Sequence, residues 1–188
     1  MTLDPLDWLL GLEPLGMKFG LANMERLMTA LDHPERSFTS IHIAGTNGKG
    51  SVTAMVDTAL RAAGVRSARY TSPHLLRLEE RFVIDGAEVT TTALRRTLDQ
   101  VRSVVEQVQL GDHTFSPTFF ECTTAAAFEL FRRHGAAIAV LEVGLGGRLD
   151  ATNVIMPTVT AITSIDFDHQ ALLGTTLQSI AAEKAGII

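Results

Sequence analysis

Apolar positions along the chain change their spacing at a run of glycines near residue 45. The apolar, β-branched run from Phe38 to Ile43 predicts a strand. After the glycines, apolar residues from Val52 to Ala63 recur at the spacing of an amphipathic helix, and Gly64 predicts its end. The pattern therefore predicts a strand, a glycine-rich turn and a helix in that order.

Further elements follow from the same two kinds of spacing. Asp85-Gly86, between two short extended segments, predicts a β-hairpin. Apolar runs predict strands over Arg66–Thr71, Ala136–Val143 and Val159–Ile162. Helical spacing predicts helices over Gly20–Asp32, from a cap at Thr91 or Thr92, from Ser116-Pro117 to His134, and from about Thr175.

Short apolar strands that alternate with amphipathic helices favour an α/β fold. We expect a mainly parallel sheet flanked by helices on both faces, with a small β-hairpin. Such sheets bind ligands at the carboxyl ends of their strands. The polar residues that follow strands are therefore the candidates for function, namely Ser72, Glu142 and the segment Asp166–His169.

Composition narrows the class of protein. The chain has 16 Lys and Arg against 21 Asp and Glu, and the net charge of −5 argues against a nucleic-acid-binding surface. Cys122 is the single cysteine, so no intrachain disulfide forms. The first ten residues lack a signal-peptide pattern, and no run reaches the roughly 20 apolar residues of a membrane helix. We therefore expect a soluble, cytoplasmic protein without a nucleic-acid or membrane partner.

The segment Gly45 to Ser51 has the chemistry of a phosphate-binding loop. Its glycines allow backbone N–H groups to approach phosphate oxygens at a helix N-terminus, Lys49 adds a positive charge, and Ser51 offers a hydroxyl to a phosphate-bound metal. The common G-x-x-x-x-G-K-[ST] spacing is not kept, because Ile43 and Gly50 occupy two of its defined positions. The alternative is a glycine-rich turn with a surface lysine, but the order of strand, glycines, lysine, hydroxyl and helix favours the phosphate loop.

Two residues that follow strands could bind a metal. Glu142 ends an apolar strand, so its carboxylate needs a cation. That cation is either magnesium held together with Ser51 and nucleotide phosphates, or a base such as Arg148 in a structural ion pair. His169 is either a structural histidine or a ligand, although imidazole suits zinc better than magnesium.

Lys184 lies in an apolar stripe of the last predicted helix. A lysine in such a stripe usually extends its amine to water. An amine that points into an active site must instead find an anion or lose its charge. Carbamylation by carbon dioxide would turn it into a carboxylate-like group that can approach metals, and the residues alone leave these alternatives open.

Six motifs resemble those of the folylpolyglutamate synthase/dihydrofolate synthase group of the Mur ligase superfamily. They are A-G-T-N-G-K-G-S at 44–51, T-S-P-H-L at 71–75, F-F-E at 119–121, L-E-V-G-L-G-G-R-L-D-A-T-N at 141–153, D-H with L-G at 168–174 and A-E-K-A-G-I at 182–187. The G-T-N-G-K core of the first is shared with Mur ligases generally. The long glycine-rich motif is specific to the folate branch and argues against a cell-wall ligase.

The resemblance implies a role for each matched position. The residues expected to bind ATP phosphates are Gly45, Thr46, Asn47, Gly48, Lys49, Gly50 and Ser51. Those expected to be catalytic are Lys49, Glu142, His169 and Lys184, the last of them carbamylated. Two magnesium ions are expected at Ser72, Glu142 and His169. The residues expected to bind a pterin-bearing substrate are Thr118, Phe119, Phe120, Leu149, Asp150 and Ala151.

The resemblance also implies a reaction. ATP would phosphorylate the carboxylate of dihydropteroate or a reduced folate, and the amine of L-glutamate would then displace phosphate to form an amide. No side-chain nucleophile is needed, and Cys122 is expected to be a buried, apolar residue. The residues do not distinguish the two acceptors. A monomer is expected.

The resemblance places residues 1–188 in the N-terminal part of a Mur-ligase-like ATP-binding domain. Members of the group are considerably longer than this chain, so the rest of that domain and the C-terminal glutamate-ligase domain are expected to lie outside these residues. The alternative function is a nucleotide- or pterin-binding module without ligase activity.

Overall fold

A computed structural model describes residues 3–16, 18 and 20–188. They form six β-strands, β1 Thr39–Ala44, β2 Ser67–Tyr70, β3 Phe82–Ile84, β4 Ala87–Glu88, β5 Ile138–Glu142 and β6 Val159–Ile162. They also form seven α-helices, α1 Pro5–Leu10, α2 Ala22–Ala30, α3 Lys49–Ala62, α4 Thr91–Gly111, α5 Phe119–His134, α6 Gln170–Leu173 and α7 Leu177–Ala185. None of these helices has both the length and the apolar character that crossing a membrane requires.

The six strands form one sheet in the order β4-β3-β2-β5-β1-β6. Strands β2, β5, β1 and β6 run parallel to one another, whereas β3 and β4 form an antiparallel hairpin at one edge. Asp85 and Gly86 turn this hairpin with positive φ angles of 50° and 86°, as a tight two-residue turn requires. These features confirm the predicted mainly parallel sheet with a small hairpin.

Successive residues of the central strands face different helices. Tyr70 and Leu141 are fully buried in the main hydrophobic core, which α1, α2, α4 and α5 share with the sheet. Ser67 points to the opposite face, where its hydroxyl donates a hydrogen bond to Asp57 of α3 at 2.6 Å. Helices therefore cover both faces of the sheet, as the alternation of elements predicts.

Helix α5 begins later than predicted. Its N-cap is Thr118, whose hydroxyl accepts the N–H of Glu121 at 3.2 Å, while the Glu121 carboxylate accepts the N–H of Thr118 at 2.6 Å. This reciprocal capping box satisfies two backbone donors, so the predicted start at Ser116-Pro117 is wrong. The helix ends at Gly135, whose φ of 63° fits the predicted glycine C-cap.

Two other helix starts are displaced by one or two residues. Thr90, and not Thr91 or Thr92, caps α4, because its hydroxyl accepts a backbone N–H three residues later at 3.2 Å. Thr176 caps α7 in the same way, one residue after the predicted start at Thr175. Each helix therefore starts where a threonine hydroxyl reaches the N–H of its first turn.

The two fully buried residues of α3 are polar. Thr53 and Asp57 are fully buried, whereas Met55, which the apolar pattern assigns to the buried stripe, is 68% exposed. The buried carboxylate accepts from Ser67 and lies 3.4 Å from Nε of Arg61. These partners offset the cost of burying Asp57, so the packing of α3 depends on polar contacts that apolar spacing does not reveal.

Candidate active site

The predicted functional residues gather at one edge of the sheet. Ser72 follows β2, Glu142 ends β5, the phosphate loop follows β1, and His169 lies beyond β6. These four strands are parallel, so their carboxyl ends lie along the same edge. Segments that are far apart in the chain are therefore close in space at this edge.

The phosphate loop, residues 45–51, has a backbone suited to an anion. Gly48 is the N-cap of α3 with a φ of 82°, and it has no side chain with which to cap the helix. Among the described residues, no side chain accepts a capping hydrogen bond there, and the first turn holds no acid. The N–H groups of this turn are therefore available to phosphate oxygens, and the helix dipole favours the negative charge.

The loop is tied to the end of β6 by hydrogen bonds. Thr163 donates its hydroxyl to the Asn47 carbonyl at 2.7 Å, and Asn47 donates its N–H to the Ser164 hydroxyl at 3.2 Å. The N–H of Thr46 donates to the Ser164 carbonyl at 2.8 Å. The sequence does not identify Thr163 and Ser164 as site residues, although both directly follow a predicted strand.

Two lysines converge on one carbonyl of the phosphate loop. Nζ of Lys49 lies 3.0 Å and Nζ of Lys184 lies 2.9 Å from the Gly45 oxygen. Lys184 is only 3% exposed, so the alternative in which its amine reaches water is wrong. Burial, and next the charge of Lys49, lower the pKa of Lys184. Lys184 therefore contacts the phosphate loop, although it lies on α7 and is distant from that loop in the chain.

Glu142 is a buried carboxylate beside the same loop. Its Oε2 accepts the N–H of Ser72 at 3.1 Å, and a Cβ at Gly50 would lie 3.5 Å from that oxygen. Burial raises the pKa of Glu142, while the Ser72 N–H and the charges of Lys49 and Arg69 act in the opposite direction. The carboxylate thus lies next to the backbone that would hold phosphates.

The predicted metal ligands are only partly brought together. Glu142 and Ser72 are in contact, whereas His169 lines a cavity together with Ser72 and has its polar contact with Asp168 at 3.5 Å. The alternative ion pair of Glu142 with Arg148 is wrong, because Arg148 pairs with another carboxylate at 2.7 Å.

The donor set nevertheless fits magnesium. Within the described residues, no three His, Cys, Asp or Glu side chains lie close enough to hold a metal by themselves. Magnesium prefers one or two carboxylates and completes its shell with phosphate oxygens and water. Glu142 and the Ser72 hydroxyl, beside a phosphate loop, supply this kind of partial set.

A cavity of about 450 Å³ opens beside this edge of the sheet. All six residues predicted to bind the substrate line it, together with Ser72 and His169. Those six residues are Thr118, Phe119, Phe120, Leu149, Asp150 and Ala151. The structure therefore brings the start of α5 and the glycine-rich loop after β5 together around one cavity of mainly apolar character.

Asp150 is one of the buried acids of this cavity. Burial raises its pKa, although it accepts hydrogen bonds from the Thr152 hydroxyl and from the N–H groups of Thr152 at 3.0 Å and Leu145 at 2.8 Å. The Thr152 hydroxyl in turn lies 2.7 Å from Nε2 of His42. Because Thr152 donates to Asp150, His42 must donate to Thr152 through Nε2–H. Burial lowers the pKa of His42 to about 4, so the ring is neutral at pH 7.

The sequence does not identify His42 or Arg81 as site residues. His42 lies inside the first predicted strand, and Arg81 lines the cavity from the turn that precedes β3. Neither belongs to a motif with chemical meaning, and neither follows a strand that ends at the site. Only their long-range contacts reveal them.

Comparison with known protein families gives one match that covers most of the chain. The Mur ligase middle domain matches residues 43–188. The dihydrofolate synthase/folylpolyglutamate synthase of Bacillus subtilis (strain 168) is 40% identical over 186 residues, which are 98% of this chain and 43% of that protein.

Solved structures show the same relationship. A FPGS-AMPPCP-folate complex superposes with a TM-score of 0.91 at 37% identity, covering 98% of this chain and 45% of that chain. E. coli FolC in complex with DHPP and ADP superposes with a TM-score of 0.89 at 36% identity, covering 99% and 44%. The chain thus spans less than half the length of each of these relatives.

Proposed function

The chain belongs to the Mur ligase family, in its folylpolyglutamate synthase/dihydrofolate synthase branch, and from this premise we propose that it is part of an ATP-dependent ligase. The ligase adds L-glutamate to dihydropteroate, a reduced folate or both. Residues 1–188 are then the N-terminal part of its ATP-binding domain.

One observation supports this proposal most. A single cavity joins all six predicted substrate residues to Ser72 and His169. A ligase of this kind must bring a pterin-bearing carboxylate next to a nucleotide phosphate, and this cavity reaches Ser72, whose N–H contacts Glu142 beside the phosphate loop. Relatives of similar structure have been solved with AMPPCP and folate, and with DHPP and ADP.

In the proposed site, the phosphate loop holds the triphosphate of ATP. The N–H groups at the start of α3 would donate to phosphate oxygens, Lys49 would supply a full positive charge, and Ser51 would supply a hydroxyl. Glu142, Ser72 and His169 are the residues that would hold two magnesium ions, through oxygen and imidazole donors. Magnesium bound there would neutralise charge on the transferred phosphoryl group.

The reaction then proceeds in two steps. An oxygen of the acceptor carboxylate attacks the γ-phosphorus, the bond from phosphorus to the bridging oxygen breaks, and ADP and an acyl phosphate result. The free amine of L-glutamate attacks the acyl carbon, phosphate leaves, and the nitrogen loses a proton to give the amide. The carboxylate and the triphosphate repel each other, and the positive charges around the loop offset this repulsion.

Lys184 is proposed to be carbamylated. Carbamylation requires a neutral amine, and burial beside Lys49 lowers the pKa of Lys184 and so enriches that form. The product carries a negative charge next to Lys49, which replaces the repulsion of two ammonium groups by an attraction. A carbamate there would also place oxygen atoms near the phosphate loop.

Release of ADP from ATP tests the proposed ligase. The full-length protein is expected to release ADP only when L-glutamate and either dihydropteroate or tetrahydrofolate are present. Lys49→Ala and Glu142→Gln should abolish this release and leave the fold intact. No turnover with either acceptor would refute the folate assignment.

The gene sequence beyond codon 188 separates the ligase from its alternative. An open reading frame that continues through a further domain supports the ligase. A stop codon directly after 188 supports a nucleotide- or pterin-binding module without turnover.

A further inference from the structure

Arg81 is a buried cation that has no carboxylate partner among the described residues. It is 7% exposed and lines the cavity, and its backbone carbonyl accepts the N–H of Thr71 at 3.1 Å. This places it opposite the end of β2, next to Ser72. A buried guanidinium without an anion is costly, so its position calls for a negatively charged ligand.

Two contacts orient the guanidinium and leave part of it free. Nε donates to Nδ1 of His74 at 2.9 Å, and Cζ lies 5.3 Å from the centroid of the Phe119 ring. In the part of the chain that the structure describes, neither Nη nitrogen of Arg81 has a protein acceptor. A pair of Nη donors in one plane suits the two oxygens of a carboxylate.

The cavity's own buried carboxylates are already satisfied by other donors. Glu121 accepts the N–H of Thr118 at 2.6 Å, and Asp150 accepts the N–H of Leu145 at 2.8 Å. Neither forms an ion pair with Arg81 in the described structure. The described residues therefore offer Arg81 no free carboxylate, and a negatively charged ligand in the cavity could supply one.

We propose that Arg81 binds the carboxylate of the acceptor substrate. Arg81 contacts Phe119, one of the predicted substrate residues, and stands beside Ser72, one of the predicted metal ligands. A carboxylate held there lies between the predicted pterin pocket and the phosphate loop, where phosphorylation would occur. The inference rests on the proposed function, because it takes a pterin-bearing acid as the ligand.

Binding of pteroate and of its carboxamide to the protein, measured by isothermal titration calorimetry, tests this role. The two ligands share the pterin and the ring and differ in the charge at the end of the molecule. The wild type is expected to prefer pteroate by about 10- to 100-fold, the range for hydrogen bonds to charged groups. Arg81→Met should remove this preference by weakening pteroate alone.

Arg77→Met is the matched control. Arg77 lies four residues away, is mostly exposed and pairs with Glu88 at 2.7 Å, so this variant loses the same charge outside the cavity. It should keep the wild-type preference. Circular dichroism and urea unfolding check that each variant is folded. If Arg81→Met does not fold, Arg81→Lys replaces it, and its preference for pteroate should fall by at least several-fold because a lysine cannot offer the planar pair of donors.

Each outcome has a defined meaning. An equal preference for pteroate in Arg81→Met and the wild type overturns the role of Arg81 and leaves the pterin site standing. Equal binding of pteroate and its carboxamide by the wild type would also overturn the role of Arg81 and leave the pterin site standing. A wild type that binds neither ligand refutes the proposed pterin site and the inference with it.

Discussion

At Gly45 a single missing side chain allows the phosphate loop to pack against β6. A Cβ there would lie 1.9 Å from Oγ1 of Thr163, and the φ of 147° disfavours other residues. We expect Gly45→Ala to lower the free energy of unfolding by about 3 kcal/mol and to weaken ADP binding. Urea unfolding and calorimetry measure the two effects.

Gly64→Ala is the matched control for that substitution. Gly64 also has a positive φ, 78°, but a Cβ there meets open space. The variant should lose only about 1 kcal/mol through backbone strain and keep ADP binding. Equal losses in the two variants would contradict the packing argument for Gly45.

His42 should make the protein sensitive to acid. Its pKa is about 4 in the folded protein and about 6.5 in the unfolded chain. Between these values the unfolded state binds a proton that the folded state does not, so the free energy of unfolding falls as the pH drops. Above pH 6.5 the ring is neutral in both states and costs no stability. As the pH falls from 6.5 to 4, the free energy of unfolding decreases by about 3 kcal/mol through His42.

His42→Gln should remove this part of the pH dependence. The amide nitrogen of glutamine can still donate to Thr152 but cannot gain a proton in this range. Denaturant unfolding between pH 4 and 7 measures the slope, and His113→Gln, at an exposed histidine, is the control that should retain it. A slope in His42→Gln parallel to that of the wild type would show that other groups cause the acid sensitivity.

Among the elements, α3 is held to the sheet by a buried charge. Asp57 is fully buried and accepts a hydrogen bond from Ser67 on β2 at 2.6 Å. Asp57→Ala leaves the buried Ser67 hydroxyl without its acceptor and removes the carboxylate beside Arg61, so we expect a loss of about 3 kcal/mol in unfolding free energy. Met55→Ala on the exposed side should change stability by less than about 0.5 kcal/mol. A larger loss of stability in Met55→Ala than in Asp57→Ala would show that α3 packs through its apolar stripe instead.

For the whole molecule, helix α7 connects the loop that follows β5, which lines the cavity, to the phosphate loop. The N–H of Arg148, in the glycine-rich loop after β5, donates to the Glu183 carbonyl at 2.8 Å. The next residue on α7, Lys184, reaches the carbonyl of Gly45. A change in how the glycine-rich loop after β5 packs on α7 should therefore affect both the cavity and the phosphate loop.

Gly147→Ala tests this link. A Cβ at Gly147 would lie 2.7 Å from the Glu183 carbonyl oxygen and 2.8 Å from that of Lys184. The strain should cost about 1–3 kcal/mol and displace α7, so calorimetry should show weaker binding of both ADP and pteroate. Gly111→Ala, where the added Cβ meets no atom within 4 Å, should leave both affinities unchanged. Loss of only one affinity in Gly147→Ala would mean that α7 does not couple the two regions.

Several features follow from residues that are close together in the chain. Apolar runs and glycines predict the strand Val159–Ile162, the helix end at Gly135 and the hairpin at Asp85-Gly86, because each depends on local backbone preferences. Helix starts are less predictable. Ser116 and Thr118 are both reasonable caps, and the hydrogen bonds that form determine which of them caps α5.

The residues of the candidate site also fall into those that the sequence predicts and those that only the structure reveals. Parallel strands bring their carboxyl ends to one edge, so the order of strands and helices is enough to predict that Ser72, Glu142 and the phosphate loop lie near one another. The sequence alone thus established the α/β fold and the family-specific motifs. Arg81, His42 and the inward-pointing amine of Lys184 depend on partners that are distant in the chain, and no local pattern encodes such pairings. Their burial and contacts are decided only by the tertiary structure, because both arise when the helices and strands pack together.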